Sequence, residues 1–117
     1  MCGIAGMTGP GANRHTLERM LDTIEHRGPD GRGIVEGAEA LLGNQRLAII
    51  DLTSGDQPIF NEDRTIAVVL NGEIYNYIEL RDELLKRGHL LSTTSDTEVI
   101  VHLYEDYGPR CVDHLRG

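Results

Sequence analysis

The period of the apolar positions changes several times along the chain. Residues 3–7 are short, apolar and bracketed by glycine, the pattern of a buried strand. In 16–26, Leu17, Met20, Leu21 and Ile24 fall on one helical face, and Gly28-Pro29 supplies the stop. Short apolar runs follow at Gly33–Glu36, Ala40–Leu42, Leu47–Ile50 and Thr65–Leu70, separated by turn residues such as Glu36-Gly37 and Ser54-Gly55-Asp56. Helical spacing returns with Tyr77, Leu80 and Leu84. It opens on Asn76 with Glu79 as a capping box and ends at Gly88. A short strand is expected next. A second capping box, Ser95 with Glu98, then starts a helix that runs through Tyr107 with Val99, Ile100, Leu103, Tyr104 and Tyr107 as its apolar positions, and Gly108-Pro109 closes it. Strand, helix, several strands, helix, short strand, helix is the order of an α+β layered fold, not of a parallel βαβ wheel.

At 117 residues the chain fits one domain of ordinary size. Its formal charge of -8 argues against nucleic acid or an anionic membrane as partner, since both favour a basic surface. The longest apolar runs, such as Ala67-Val68-Val69-Leu70, are far too short to span a bilayer, and no signal peptide is visible. Cys2 and Cys111 form no C-x-x-C pair. The five histidines (His15, His26, His89, His102, His114) share no metal-ligand spacing, so they read as surface or boundary residues and no metal is expected.

The chemistry is concentrated in a few segments. If Met1 is removed, Cys2 becomes the N-terminus and carries both a thiol and a free α-amine. An α-amine titrates near ~8, so it can act as base beside the thiol, which is nucleophile and base in one residue. The thiolate is the attacking form, and a reduced cytosolic setting suits it. Arg27 and Asp30 flank the Gly28-Pro29 stop without being needed for it. Arg46 is expected to open a strand, where its guanidinium can fork onto a carboxylate. Asn71-Gly72 reads either as a type I′ hairpin turn or as two neutral donors of an oxyanion hole. Asp96, at a helix start, could pair with a substrate ammonium.

Taken together, Cys2-Gly3-Ile4, Arg27-Gly28-Pro29-Asp30, Arg46-Leu47-Ala48-Ile49-Ile50-Asp51, Gln57-Pro58-Ile59, Asn71-Gly72-Glu73-Ile74-Tyr75-Asn76 and Ser95-Asp96-Thr97-Glu98 resemble the glutaminase domain of glutamine-hydrolysing asparagine synthetases. These are class II glutamine amidotransferases of the N-terminal-nucleophile hydrolase superfamily, and the motifs occur in order over the whole chain. The amidotransferases that make glucosamine phosphate or phosphoribosylamine are similar at Cys-Gly-Ile and Asn-Gly. They carry a His-Thr-Arg-like segment where this chain has Asn44-Gln45-Arg46-Leu47.

The resemblance implies a four-layer αββα sandwich and hydrolysis of L-glutamine to glutamate and ammonia through a Cys2 thioester. It implies that Arg46 holds the glutamine α-carboxylate and that the backbone of Leu47, Ile49 and Ile50 lines the pocket. Asn71 and Gly72 would form the oxyanion hole, Glu73 and Asp96 would receive the α-ammonium, and Arg27 would support the site. No cofactor is implied for this half-reaction. ATP and magnesium belong to a synthetase domain that family members carry beyond this region, and the full-length form has room for a homodimer. Family members continue past Leu115-Arg116-Gly117 into further strands, so residues 1–117 are expected to be a C-terminally incomplete domain. Three other readings remain: the glutaminase domain of another class II amidotransferase, an N-terminal-nucleophile hydrolase of another amide, and a non-catalytic truncated fragment. The thiol chemistry and the lack of a membrane span place the expected setting in the cytoplasm.

Overall fold

Alternation from Gly3 to Thr8 builds β1, which pairs antiparallel with β3 (Ala40–Arg46); β3 also pairs antiparallel with β2 (Gly31–Glu36). The sheet order is β1-β3-β2, with Gly3 opposite Gln45 and Gly31 opposite Arg46. In this computed structural model residues 2–49 and 53–117 are described. They divide into two compact units. The sheet belongs to the first, with residues up to Ile49 plus Asp56–Pro58 and Val69–Asn71. The second contains Ile59–Val68 and Gly72–Gly117.

In the first unit α1 (Arg14–Thr23) is capped by Asn13, whose side chain accepts the Thr16 N–H at 2.9 Å. Leu17 and Leu21 are fully buried, as the spacing requires, while Met20 is exposed. The sheet meets the helix through glycines: a Cβ on Gly43 would lie 2.7 Å from Leu21 Cδ1, and one on Gly3 2.9 Å from Ile24 Cδ1. Real Cβ atoms do not approach so closely, so small residues set this spacing. The helix ends before the sequence stop, and a 3₁₀ turn at Glu25–Arg27 carries the chain to Gly28.

Two expected strands change character. β3 continues to Arg46, so Arg46 closes a strand instead of opening one. Residues 47–49 are not strand, because their backbone is drawn elsewhere: Leu47 N–H bonds the Cys2 thiol and Ala48 N–H bonds the Asp30 carboxylate. Ile50 and Asp51, expected to continue that strand, lie outside the described residues.

In the second unit β4 (Ile59–Phe60) pairs with β5 (Ala67–Val68), all that is strand within 65–70. Asn61 ties the connection, accepting the Ile66 N–H at 2.9 Å and donating to Thr65 Oγ1 at 3.2 Å. In α2 (Tyr77–Arg87) Leu80 and Leu84 are buried, and Gly88 ends the helix at φ 98°, a left-handed conformation suited to glycine. Asn76 does not form the expected capping box. Its amide donates to the His114 carbonyl and accepts the Arg116 N–H, so it ties down the C-terminal segment instead. The expected short strand after α2 is absent: residues 89–96 are irregular.

α3 (Glu98–Tyr107) is the centre of this unit. α2, β4, β5 and a 3₁₀ turn at Gly108–His114 all touch it, so Val101 and His102 are buried as well as Val99 and Leu103. Of the apolar positions of this helix, Tyr104 is exposed. His102, expected at a surface or boundary, has 0% exposure. Cys111 packs as a small buried hydrophobe, and burial pushes its thiol up. Both cysteines are free thiols. The Ser95–Glu98 box is displaced. Ser95 Oγ accepts the Thr97 N–H, while the Glu98 carboxylate reaches back to the N–H and hydroxyl groups of Ser92 and Thr93 at 2.6–2.9 Å. Burial raises this carboxyl, but His102 and the Thr93 and Ser92 donors outweigh it and hold the group at about 2. Helices packed with small antiparallel sheets place the chain in the α+β class. No described helix is long and apolar enough to cross a membrane.

Glu98→Ala strands four donors at once and takes the carboxylate away from the part-buried Arg81 and the buried His102. It should lower unfolding free energy by about 3–5 kcal/mol, whereas the exposed Glu79→Ala should change it by less than about 0.5 kcal/mol. Urea denaturation of the two variants measures the contrast, and equal effects would remove Glu98 from its structural role.

Candidate functional site

Cys2 precedes β1 by one residue, so the β1–β3 register aligns it with the end of β3. The Leu47 N–H donates to Cys2 Sγ at 3.3 Å, and the thiol donates to the Leu47 carbonyl at 3.6 Å. The side chain is half-buried and held by backbone on one side. Arg27 Nε donates to the Cys2 carbonyl at 3.1 Å, fixing the residue from the loop that follows α1. Asp30, in the same loop, donates its N–H to the Arg46 carbonyl at 3.0 Å and accepts the Ala48 N–H at 2.9 Å. The Arg-Gly-Pro-Asp segment therefore brackets the β3 exit, with Arg27 on Cys2 and Asp30 on residues 46 and 48. The loop lies so close to β3 that a Cβ on Gly28 would overlap the Gln45 carbonyl.

Arg46 is buried at the end of β3 and pairs with Asp56 at 2.8 Å. The Asp56 side chain is 81% exposed and that of Arg46 8%, so the guanidinium is supplied from the protein side and met from the solvent side. Gln57 organises the next segment. Its Oε1 accepts from the buried Asn44 amide at 3.1 Å and from the Leu70 N–H at 2.6 Å, setting the chain just before Asn71. Asn71 is thereby placed in the same unit as Cys2, Arg27, Arg46, Leu47 and Ile49. Ile49 is largely exposed, and Ile50 lies outside the described residues.

Gly72, Glu73 and Asp96 belong to the other unit. There the buried Asp96 accepts the Ile74 N–H at 2.8 Å, which brings Asp96 to the Glu73–Ile74 segment. Glu73 and Gly72 are exposed. Asn71-Gly72 forms a bend between non-strand residues. Neither residue has the positive φ that a type I′ turn requires at both positions, so the hairpin reading is excluded.

Sequence reasoning gave Arg27 a supporting role by resemblance, found Asp30 and Gln57 without their tasks, and read Asp56 only as a turn residue. Nothing local marks Asp56 as the partner of a guanidinium ten positions earlier; the bond exists because the chain returns there.

The geometry defines an α+β domain with a backbone-anchored cysteine immediately before its first strand, beside a buried arginine. Comparison with known proteins places it further. A family model described as a glutamine amidotransferase domain matches residues 1–117, and the chain belongs to that family. It is 49% identical to asparagine synthetase [glutamine-hydrolyzing] 1 of Arabidopsis thaliana, 47% to asparagine synthetase [glutamine-hydrolyzing] 2 of Oryza sativa subsp. japonica and 48% to asparagine synthetase [glutamine-hydrolyzing] of Zea mays. Each match covers 100% of this chain and 20% of the relative, so the chain spans about a fifth of the length of these proteins.

Gly28→Ala should detach the Arg27–Asp30 loop from β3. Overpacking against backbone costs about 1–3 kcal/mol, so the melting temperature should fall and Cys2 should lose its fixed environment. The check is the rate of Cys2 alkylation by iodoacetamide, which should change several-fold in Gly28→Ala, with Gly11→Ala, where a Cβ meets open space, as the reference. An unchanged rate would uncouple the loop from the thiol.

Proposed function

We propose that this chain carries the glutaminase half-reaction of an asparagine synthetase-type amidotransferase, built on an N-terminal-nucleophile αββα sandwich. The observation that carries the reading is the seating of Cys2: a half-buried thiol between the Leu47 N–H and C=O, with its own carbonyl held by Arg27. Family membership over residues 1–117 and the asparagine synthetase relatives support it.

In this reading Met1 is removed and the Cys2 α-amine takes the thiol proton. The thiolate attacks the side-chain carbonyl carbon of L-glutamine, and the developing oxyanion is received by the Asn71 amide and the Gly72 N–H. The tetrahedral intermediate collapses, the C–N bond breaks, and ammonia leaves with the proton held on the amine. Water, deprotonated by the same amine, then cleaves the γ-glutamyl thioester and releases glutamate. Arg46 holds the substrate α-carboxylate; a guanidinium has five N–H donors and can serve it beside Asp56. Asp96 and Glu73 take the α-ammonium, and the Leu47–Ile50 backbone lines the pocket. No cofactor enters these steps. Ammonia would pass to an ATP- and magnesium-dependent synthetase domain in the full-length protein, and two free thiols suit a cytoplasmic setting.

Cys2→Ala should abolish glutamine hydrolysis in the intact protein, while Cys111→Ala should leave it within about twofold, since that buried thiol only fills space. Mass spectrometry of the active protein should find Met1 removed. A glutamine-analogue electrophile that labels Cys111 in preference to Cys2 would refute the assignment.

Asn71→Ala should lower kcat by about a hundredfold or more with KM little changed, the cost of losing one oxyanion donor. Steady-state kinetics beside thermal melting separate this from a folding role: an intact kcat with a collapsed melting temperature would make Asn71 structural.

A further inference from the structure

A second constellation, in the unit built around α3, takes no part in the reading above. His89, just past α2, and His102, in α3, stand with ring centroids 5.1 Å apart. The carboxylates of Glu62 and Glu105 lie against both rings. His89 Nδ1 is 3.2 Å from Glu62 Oε1 and 3.3 Å from Glu105 Oε2. His102 Nδ1 is 3.3 Å from Glu62 Oε2 and 3.4 Å from Glu105 Oε2. One donor atom from each of the four residues can be chosen so that all lie within 4.8 Å of one another.

These spacings match a metal centre. Zinc bonds to histidine nitrogen and carboxylate oxygen at about 2.0–2.2 Å, so neighbouring ligands of a tetrahedral ion stand about 3.3–3.6 Å apart. With one oxygen taken from each carboxylate, three of these nitrogen–oxygen separations belong to a single donor set and are already close to that edge length, and all four donor atoms lie within 4.8 Å of one another. The surroundings match too. Ligating histidines commonly give their other N–H to a carboxylate, and ligating carboxylates are themselves hydrogen-bonded. His89 Nε2 faces Asp106 Oδ1 at 3.2 Å, and Asp106 is in turn paired with Arg87 at 3.0 Å. Glu62 Oε1 accepts the Leu90 N–H at 2.8 Å, and Glu105 Oε1 accepts from the Asn61 amide at 3.0 Å. His102 is fully buried. Its Nε2 has no hydrogen-bond partner and stands 3.7 Å from Glu98, leaving Nδ1 as the nitrogen turned into the cluster.

Hydrogen bonding alone fits the same geometry poorly. Each Nδ1 carries at most one proton but confronts two carboxylates. Charge points the same way. Four carboxylates (Glu62, Glu98, Glu105, Asp106) face two arginines, Arg81 and Arg87, so with neutral rings the cluster holds a surplus of two negative charges. A divalent cation cancels it. Two imidazole nitrogens select a borderline transition ion over calcium or magnesium, which favour all-oxygen shells.

We propose that Glu62, His89, His102 and Glu105 form a binding site for a divalent transition-metal ion, zinc being the best match, which clamps the β4–β5 connection and the segment after α2 onto α3. The role is structural and independent of the glutamine chemistry.

The test uses the intact protein with Cys2→Ala as background, so that the candidate nucleophile cannot itself capture metal. After chelator treatment, the protein is titrated with Co2+, Zn2+ and Mg2+, following visible ligand-field absorption for cobalt and melting temperature for all three. One equivalent of Co2+ should bind with the spectrum of a four-coordinate nitrogen–oxygen site. Zn2+ should displace it and raise the melting temperature, and Mg2+ should do neither. His89→Gln and Glu105→Gln keep side-chain size, and the glutamine at 105 still offers an oxygen to Asn61. Each should weaken Zn2+ binding by more than tenfold. Asp106→Asn, which only orients His89, should weaken it by about 10–100-fold. Circular dichroism confirms that the variants fold. Absence of saturable Co2+ or Zn2+ binding would overturn the proposal, as would binding undiminished in His89→Gln and Glu105→Gln.

Discussion

The antiparallel register between β1 and β3 is the constraint on which the candidate site depends. Cys2 has no secondary structure of its own; its position follows from Gly3 lying opposite Gln45. Side chains in a strand alternate with period two, so a slip of one residue would turn every β1 side chain to the other face and carry Cys2 away from Leu47. Leu21 over Gly43 and Ile24 over Gly3 resist such a slip, because a side chain brought to either glycine position would collide with the helix. Packing distant from the thiol thus fixes where the thiol stands.

The end of β3 illustrates how a site is cut out of a strand. A ladder satisfies backbone groups pairwise, and continuing it past Arg46 would use up the N–H groups of Leu47 and Ala48. Those groups serve Cys2 Sγ and Asp30 instead. Backbone polar groups must be satisfied somewhere. Here they are satisfied by side chains of other segments, and the strand stops where that exchange begins.

The sequence patterns reveal elements whose information is local. α1 and α2 follow from apolar spacing, and Gly88 from its tolerance of positive φ. β4 and β5 are two residues each, too short for a period-two signal to register. The capping boxes fail for a related reason. Asn76 and Glu98 have the right local spacing, but His114 with Arg116 and Ser92 with Thr93 offer them bonds that no local rule anticipates. The Cys2, Arg27 and Arg46 motifs were visible; that Arg27 bonds the Cys2 carbonyl and that Asp56 meets Arg46 was not, because both depend on chain returns. His102 was misread for the same reason, its burial depending on what packs against α3, whereas His89 stands at the boundary as expected; the two rings meet only once the chain after α2 packs on α3.

Both units bury polar residues in runs: Asn44, Gln45 and Arg46 in one, Ser95 to Glu98 with His102 in the other. A buried polar group costs free energy unless it is bonded, and a buried charge costs more unless it is paired. Apolar residues at those positions would be simpler to pack, so each run calls for a use. In the first unit it is found in the links to Gln57, Asp56 and the loop beside Cys2. In the second, Glu98 closes the irregular segment before α3, and Asp96 holds the segment after Asn71-Gly72. Among the described residues two buried side-chain polar atoms escape this bonding, Asn44 Oδ1 and His102 Nε2. Each belongs to a side chain whose other polar atom is engaged, Asn44 Nδ2 on Gln57 and His102 Nδ1 among carboxylates. The unsatisfied atom is therefore the remainder left when one orientation of an amide or a ring is fixed by its better bond. In both units what fixes that orientation is a residue brought in from a distant part of the chain.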